Sequence, residues 1–354
     1  MLCPICVFRQ PPYTRSGTQG WYSHNAATGA PAGELDIVPL FAAFSDLCFK
    51  SFGDRVKTWI TFNEAWTFTW LGSGGGKAPG LMGQFSETPK WPLIAGHNVL
   101  LAHAAAADVY RRGYQQVQGG KIAITNNMDW NEPKTSSPAD IAAAQRHLEF
   151  QLGWFADPIF SGTGDYPASM RAILGDTLPT FTDAQKKLLN GSADIFGLNS
   201  YGTSWATDDQ SSPAGGFCSC YCDNDEAAGP NGPAFPRAES IWLYGAGWGL
   251  RQLLNWVSDR YHLAPPGGGA GQAIPILVTE GGWSLAANTS SEGAADPART
   301  FYYANYTSEV RKAIVEDKVN VIGYYAWSLM ENFGEPALSF LVACTRSEDP
   351  PCAR

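Results

Sequence analysis

Five short apolar segments alternate with longer segments of helical periodicity along the chain, and this alternation is the sequence feature that most restricts the fold. Strands are predicted within residues 56–66, 121–130, 193–201, 274–281 and 319–330. Helices are predicted over residues 35–52, 91–112, 139–155, 241–261 and 300–317. Strands and helices in regular alternation are typical of a parallel sheet whose strands are joined by crossover helices.

Polar or aromatic side chains follow the apolar part of each predicted strand. They are Asn63 and Glu64, Asn126 and Asn127, Asn199 and Tyr201, Glu280, and Trp327 and Glu331. Parallel strands bring their carboxyl ends to one side of the sheet, which in a barrel of strands and helices is the mouth where the chemistry takes place. The pattern therefore favours an α/β barrel with a site at this end.

Glu64 and Glu280 each close a predicted strand. Glycoside hydrolysis requires such a pair, in which one carboxylate attacks the anomeric carbon while the other protonates the leaving oxygen and then activates water. A divalent metal site is an alternative, although it would need more acidic or His ligands close by, and none of the other strand ends supplies a His. For Glu64 taken alone, the simpler alternative is a strand-capping residue that faces solvent.

Composition narrows the class of protein. The 354 residues carry a net charge of −9, which argues against a nucleic-acid surface. No apolar run reaches the roughly 20 residues of a membrane span, so we expect no membrane partner. The 13 Trp, 14 Tyr and 18 Phe would suit sugar rings, although core packing accounts for most of them. The eight Cys would permit a secreted or vacuolar protein, but they leave the compartment undetermined.

Two further segments carry no clear chemical signal. The Gly-, Pro- and Cys-rich segment Thr207–Pro236 has no periodicity, and we predict a long loop there. His97 and His103 lie within a predicted helix without an acidic or Cys partner at helical spacing, so a structural role is favoured over metal binding.

Four motifs, in order along the chain, resemble those of the family 1 glycoside hydrolases, the β-glucosidase family. TFNEA at Thr61–Ala65 resembles the family's TFNEP, and VTEGG at Val278–Gly282 resembles its ITENG. FGLNSY at Phe196–Tyr201 is similar to GLNYY, and YYAWSLMENF at Tyr324–Phe333 is similar to YFAWSLLDNFEW. The likeness extends from about residue 20 to residue 336, with residues 1–19 and 337–354 unmatched.

The resemblance implies a retaining hydrolase that acts on a small-molecule or oligosaccharide β-glycoside without a cofactor. Glu280 would be the nucleophile and Glu64 the acid/base residue. Asn63 would contact the sugar 2-hydroxyl, and Tyr201 would orient Glu280. The remaining candidate substrate contacts are Asn127, Asn199, Trp327 and Glu335. A catalytically impaired sugar-binding or interaction protein and a transglycosidase are the alternatives.

Several positions depart from the family pattern. Ala65 and Gly281 replace the proline and the asparagine that follow the two glutamates in the family motifs. Gly334 stands where the family has a sugar-binding glutamate, and Glu335 is the candidate substitute after a shift of one residue. The strand within residues 56–66 resembles the family's fourth strand. We therefore predict an incomplete (β/α)8 TIM barrel, with strands 4 to 8 present and strands 1 to 3 largely missing.

Overall fold

The structure, a computed structural model, describes residue 21 and residues 36–72, 90–208, 223–226, 236–240, 242–261, 274–285 and 289–328. Its strands, numbered in chain order, are β1 (Thr58–Asn63), β2 (Lys121–Asn127), β3 (Trp130–Pro133), β4 (Ile195–Asn199), β5 (Thr203–Asp208), β6 (Asp223–Glu226), β7 (Ile276–Gly281) and β8 (Val321–Ala326).

Ten α-helices occur within the described ranges. They are α1 (Ile37–Phe52), α2 (Lys90–Gly113), α3 (Gln115–Gln118), α4 (Pro138–Leu148), α5 (Trp154–Phe160), α6 (Ala168–Leu174), α7 (Asp183–Leu189), α8 (Trp248–Arg260), α9 (Ser290–Ala294) and α10 (Pro297–Val315). Short π-helical segments cover Thr67–Leu71 and Glu149–Gly153, and a 3₁₀ turn covers Gly175–Thr177.

The main sheet has the strand order β1-β2-β4-β7-β8, and every neighbouring pair is parallel. The parallel arrangement predicted from the alternating pattern is thus confirmed for the described residues. Three of the four ladders shift register near the carboxyl ends of their strands, between Ile60 and Asn63, between Leu198 and Asn199, and between Val278 and Gly281. These β-bulge-like irregularities change the direction in which the last side chains point.

Alternate residues of the main sheet enter two apolar layers. Ile60, Ala123, Ile195 and Leu277 form a small cluster on one face. On β4 the neighbouring residue Phe196 belongs to the main core, where its ring packs 4.8 Å from that of Phe160 between ring centroids. Because both faces are covered at these positions, the strands are almost continuously apolar until their polar ends.

A second, smaller sheet joins β3, β5 and β6, in which β3 and β5 are parallel and β5 and β6 are antiparallel. The prediction of an irregular loop over Thr207–Pro236 was therefore wrong in part, since strands include its first two residues and residues 223–226. These strands are short and polar and lack an apolar alternation, so nothing in their own sequence distinguishes them from a loop. Residues 209–222 and 227–235 lie outside the described ranges.

The helix predicted over residues 139–155 is divided into α4, a π-helical segment and α5. The π-helical segment carries Glu149, which accepts a 2.9 Å hydrogen bond from Arg260 Nη1. Arg260 also makes a two-pronged ion pair with Asp157 of α5, at 2.9 and 2.6 Å, and Tyr261 donates to the same carboxylate at 2.8 Å. Asp157 is only 5% exposed. This buried network joins α8 to the divided helix.

Two fully buried histidines of α2 pack against the core. His103 Nδ1 lies 2.7 Å from Thr61 Oγ1 of β1, and the Thr61 hydroxyl is also 3.2 Å from the carbonyl oxygen of Ala123. The His97 ring stacks on Phe181 at 4.2 Å between centroids, and its Nδ1 lies 2.9 Å from the Tyr166 hydroxyl. Burial lowers the pKa of each histidine to about 3. Both side chains are therefore neutral core groups at physiological pH.

Within the ranges that the structure describes, the helices are too short or too polar to cross a lipid bilayer.

Candidate active site

The backbone at the end of β1 directs Glu64 into the site. Glu64 has a positive φ of 53°, which is uncommon for a residue other than glycine, and its N–H donates to Thr125 O of β2 at 3.0 Å. The register shift after Ile60 immediately precedes it. Such strained backbone is often found at functional sites, where the surrounding structure holds it in place.

Both carboxylate oxygens of Glu64 accept hydrogen bonds. Asn199 Nδ2 donates to Oε1 at 2.9 Å, and Thr67 Oγ1 donates to Oε2 at 3.0 Å. Burial raises the pKa of Glu64, the donors Asn199 and Thr67 oppose this shift, and the negative charge of Asp129 adds to it. Glu64 is therefore a carboxyl group that holds a proton more readily than an ordinary glutamate.

Glu280 lies near the end of β7, and Asn199 of β4 is its partner in the ladder. The Tyr201 hydroxyl donates to Glu280 Oε2 at 2.6 Å. Burial, followed by the neighbouring charge of Glu64, raises the pKa of Glu280 to about 7. Hydrogen bonds from Tyr201, Asn199 and Asn63 act in the opposite direction. Two mutually repelling carboxyl groups in a buried setting favour a state in which one is protonated and the other is ionised.

Asn199 connects the two strands that carry the glutamates. Its side chain is 0% exposed, and its Nδ2 donates both to Glu64 Oε1 and, at 3.2 Å, to Asn63 Oδ1. Its Oδ1 accepts from Thr279 Oγ1 at 2.6 Å. Every polar atom of this buried amide thus has a partner, as buried polar groups require.

Tyr201 is held from several directions. Its backbone N–H donates to Asp129 Oδ1 at 2.6 Å, and its carbonyl oxygen accepts from the Tyr302 hydroxyl at 2.9 Å. The Trp242 ring meets the Tyr201 ring edge-on, with 5.9 Å between centroids. Burial raises the pKa of Tyr201 well above its ordinary value, so the phenol stays protonated and acts as a donor to Glu280.

The structure brings five of the eight predicted site residues into one hydrogen-bonded group, which comprises Asn63, Glu64, Asn199, Tyr201 and Glu280. Trp327 packs nearby against the cluster that contains Tyr201. Asn127 is paired in register with Asn199 and is half-buried, and its carbonyl oxygen accepts from Gln151 at 3.2 Å. Glu335 lies outside the described residues.

Sequence reasoning missed four polar or aromatic residues around this group: Thr67, Asp129, Trp242 and Thr279. Two of them had a usable signal, since Thr279 directly precedes Glu280 and Thr67 follows Glu64 by three residues. Trp242 lies in the segment predicted to be helical, residues 241–261, but helix α8 begins only at Trp248, so its place beside Tyr201 follows from tertiary structure and not from helical periodicity.

Gly281, a departure from the family motif, suits its surroundings. A Cβ atom at this position would lie 2.2 Å from the Tyr324 hydroxyl and 3.1 Å from Ser200 O. The space beside Glu280 that a side chain would need is occupied, so a larger residue at position 281 requires Tyr324 to move.

A family model and curated relatives both relate this chain to the β-glucosidases. The family model described as "Glycosyl hydrolase family 1" matches residues 31–338. Beta-glucosidase 40 of Arabidopsis thaliana is 37% identical over 317 residues, covering 84% of this chain and 59% of that protein. Beta-glucosidase 1B of Phanerodontia chrysosporium is 38% identical over 316 residues, covering 84% of this chain and 54% of that protein.

Solved structures of β-glucosidases are also similar to this chain. A crystal structure of rice Os3BGlu6 β-glucosidase has a TM-score of 0.78 at 37% identity, covering 86% of this chain and 64% of that one. The β-glucosidase from Trichoderma harzianum has a TM-score of 0.75 at 37% identity, covering 84% of this chain and 60% of that one. The chain thus spans a little over half to about three fifths of the length of these curated relatives.

Proposed function

The chain belongs to glycosyl hydrolase family 1, and on that premise we propose that it hydrolyses O-β-glucosides by a two-glutamate double displacement that retains the configuration at the anomeric carbon. The observation that carries the proposal is the pair of neighbouring carboxyl groups of Glu64 and Glu280. Both lie at strand ends, share Asn199 as a hydrogen-bond partner and have raised pKa values.

In the first step, a carboxylate oxygen of Glu280 attacks the anomeric carbon. Tyr201, which donates to Oε2, would hold the carboxylate in place for the attack. The bond from the anomeric carbon to the aglycone oxygen breaks, and Glu64 transfers its proton to that oxygen. In the second step, Glu64 takes a proton from water, which attacks the same carbon and releases Glu280.

The remaining site residues would bind the sugar. Asn63 would donate to the 2-hydroxyl, a contact that strengthens as the transition state forms. Asn127 and Asn199 would line the pocket, Trp327 would support the sugar ring, and Glu335 would contact the hydroxyls at its far end. No cofactor enters either step.

Family membership implies the (β/α)8 barrel, with the site at the carboxyl ends of its strands. We propose that residues 20–336 form a partial domain of this kind. In it, β1, β2, β4, β7 and β8 would correspond to barrel strands 4 to 8, and strands 1 to 3 would have no counterpart among the described strands.

Azide provides a stereochemical test. With an activated aryl β-glucoside, Glu280→Ala should lose hydrolysis and regain turnover with azide, yielding the α-glucosyl azide because a single displacement inverts the anomeric carbon. Glu64→Ala should yield the β-glucosyl azide, because azide then attacks the glycosyl-enzyme. Glu316→Ala, which changes a surface carboxylate that is 53% exposed, is the control.

Undiminished turnover in Glu280→Ala would contradict the assignment of the nucleophile. Glucoside binding without turnover in the unmodified chain would favour the alternative of a sugar-binding relative. Products that carry a second sugar or alcohol in place of water would favour a transglycosidase.

A further inference from the structure

Thr279 is a buried hydroxyl to which the proposed reaction assigns no role. It precedes Glu280 on β7 and is 5% exposed. Its Oγ1 lies 2.6 Å from Asn199 Oδ1. This short hydrogen bond joins two buried side chains next to the candidate nucleophile Glu280, and the proposed reaction does not explain it.

The partners of Asn199 determine which way its amide points. Glu64 Oε1 and Asn63 Oδ1 are both acceptors, so the Nδ2 group of Asn199 must face them. Its carbonyl oxygen then faces β7, where Asn199 is fully buried and only a donor can satisfy it. The Thr279 hydroxyl is that donor.

The orientation of the Asn199 side-chain amide also sets the orientation of the Asn63 side-chain amide. Because Asn63 Oδ1 accepts from Asn199, the N–H groups of Asn63 point away from Asn199. They are directed to the Glu280 side, where a hydrogen bond from Asn63 lowers the pKa of that carboxyl group. A sugar hydroxyl bound beside Glu280 would therefore meet donors from Asn63 rather than its carbonyl oxygen.

We propose that Thr279 is a positioning residue: by donating to Asn199 it fixes two side-chain amides in series, so that their N–H groups face Glu64 and the sugar 2-hydroxyl. The inference rests on the proposed glycosidase function and adds a residue to it. Thr279 acts through Asn199 and Asn63 and does not itself touch the substrate.

Removing the hydroxyl would leave the Asn199 carbonyl oxygen buried without a donor. Nothing then holds the carbonyl oxygen on the β7 side, and a rotated amide would withdraw its N–H from Glu64 Oε1 and release Asn63. The ionisable groups that face the affected atoms come from four strand ends, namely Glu64 after β1, Asp129 after β2, Tyr201 after β4 and Glu280 on β7. Loss of the donors raises the pKa of both glutamates further.

The experiment compares Thr279→Val, Thr279→Ser and the unmodified chain on an aryl β-glucoside and its 2-deoxy analogue. Thr279→Val should lower kcat/KM for the glucoside at least tenfold more than kcat/KM for the 2-deoxy analogue, because both substrates depend on the two glutamates but only the glucoside uses Asn63. Thr279→Ser should restore the unmodified ratio. An unchanged ratio of the two kcat/KM values in Thr279→Val would overturn the proposal.

Thr203→Val is the matched control. Thr203 is also a buried threonine, 1% exposed, and donates to Ala246 O at 2.7 Å, outside the amide network. Its replacement should leave the ratio between the two substrates unchanged. A ratio that changed equally in Thr203→Val would show a general effect of removing a buried hydroxyl and would also overturn the proposal.

A second readout keeps the inference separate from the proposed function. In protein labelled with ¹³C at the glutamate carboxyl carbons, assigned with Glu64→Gln and Glu280→Gln, the NMR titration of the pair should move to higher pH in Thr279→Val and stay in place in Thr279→Ser. If the unmodified chain hydrolyses neither substrate, the proposed function fails, and this titration alone decides the positioning role. An unmoved titration in Thr279→Val would refute it.

Discussion

Replacing His103 by asparagine should make the protein less sensitive to mild acid. His103 is fully buried, and burial, followed by the charge of Arg111, lowers its pKa from 6.5 to about 3. In the unfolded chain the imidazole takes up a proton below pH 6.5, whereas in the fold it remains neutral down to about pH 3. Stability is therefore present above pH 6.5 and is lost as the pH falls towards 3.

The magnitude follows from proton linkage. With pKa values of 6.5 unfolded and about 3 folded, His103 accounts for a loss of about 2 kcal/mol in the free energy of unfolding between pH 7 and pH 5. His97 has the same pair of values and adds a similar amount. The asparagine side chain can place an amide atom near the former Nδ1, within reach of Thr61 Oγ1, and it does not titrate.

Urea unfolding of both proteins at pH 7 and pH 5 measures the difference. At pH 7, His103→Asn should be less stable by about 1–3 kcal/mol because ring atoms are lost from the core. Between the two pH values it should lose about 2 kcal/mol less than the unmodified chain. Val99→Ala, at another fully buried position of α2, should show the unmodified pH dependence. Equal pH dependence in His103→Asn and the unmodified chain would refute the reasoning.

Three further predictions concern the site and the buried ion pair. Thr67→Val removes a donor from Glu64 Oε2, so the pKa of Glu64 should rise. The basic limb of the pH profile of kcat/KM should therefore move to higher pH in Thr67→Val and stay in place in Thr67→Ser. Glu280→Gln should stabilise the fold at pH 7 by on the order of 2–3 kcal/mol, because a pKa raised from 4.5 to about 7 costs stability above pH 4.5. Thermal unfolding should show this stabilisation at pH 7 and no stabilisation at pH 4. Arg260→Met should cost about 3–5 kcal/mol in urea unfolding by leaving Asp157 buried without its partner, and a second change, Asp157→Asn, should recover part of the loss.

The sequence predicted the main sheet and much of the candidate site because both depend on local patterns. Apolar runs that end in Asn63-Glu64, Asn199 or Glu280 mark buried strands, and parallel strands bring such ends together. Hydrogen bonds among Asn63, Glu64 and Asn199 show these side chains in contact. Their catalytic roles remain predictions.

What the sequence did not predict depends on contacts between distant residues. The partner of β3 is β5, whose first residue lies 70 positions after the last residue of β3, and neither strand has an apolar alternation. The donor role of Thr279 depends on a partner 80 positions away. The break in the helix predicted over residues 139–155 accompanies contacts between Glu149 and Arg260, 111 positions apart. Patterns within a short window cannot contain this information.

The register shifts near the ends of β1, β4 and β7 separate each strand into two parts with different tasks. Before the shift, residues such as Ile60 on β1 and Ile195 on β4 follow the alternation that packs the core. Beyond it, neighbouring residues such as Thr279 and Glu280 can serve the same pocket. Chimeras between related chains should therefore tolerate exchange points at these shifts better than within the strand bodies, since packing and chemistry would each be inherited whole from one parent.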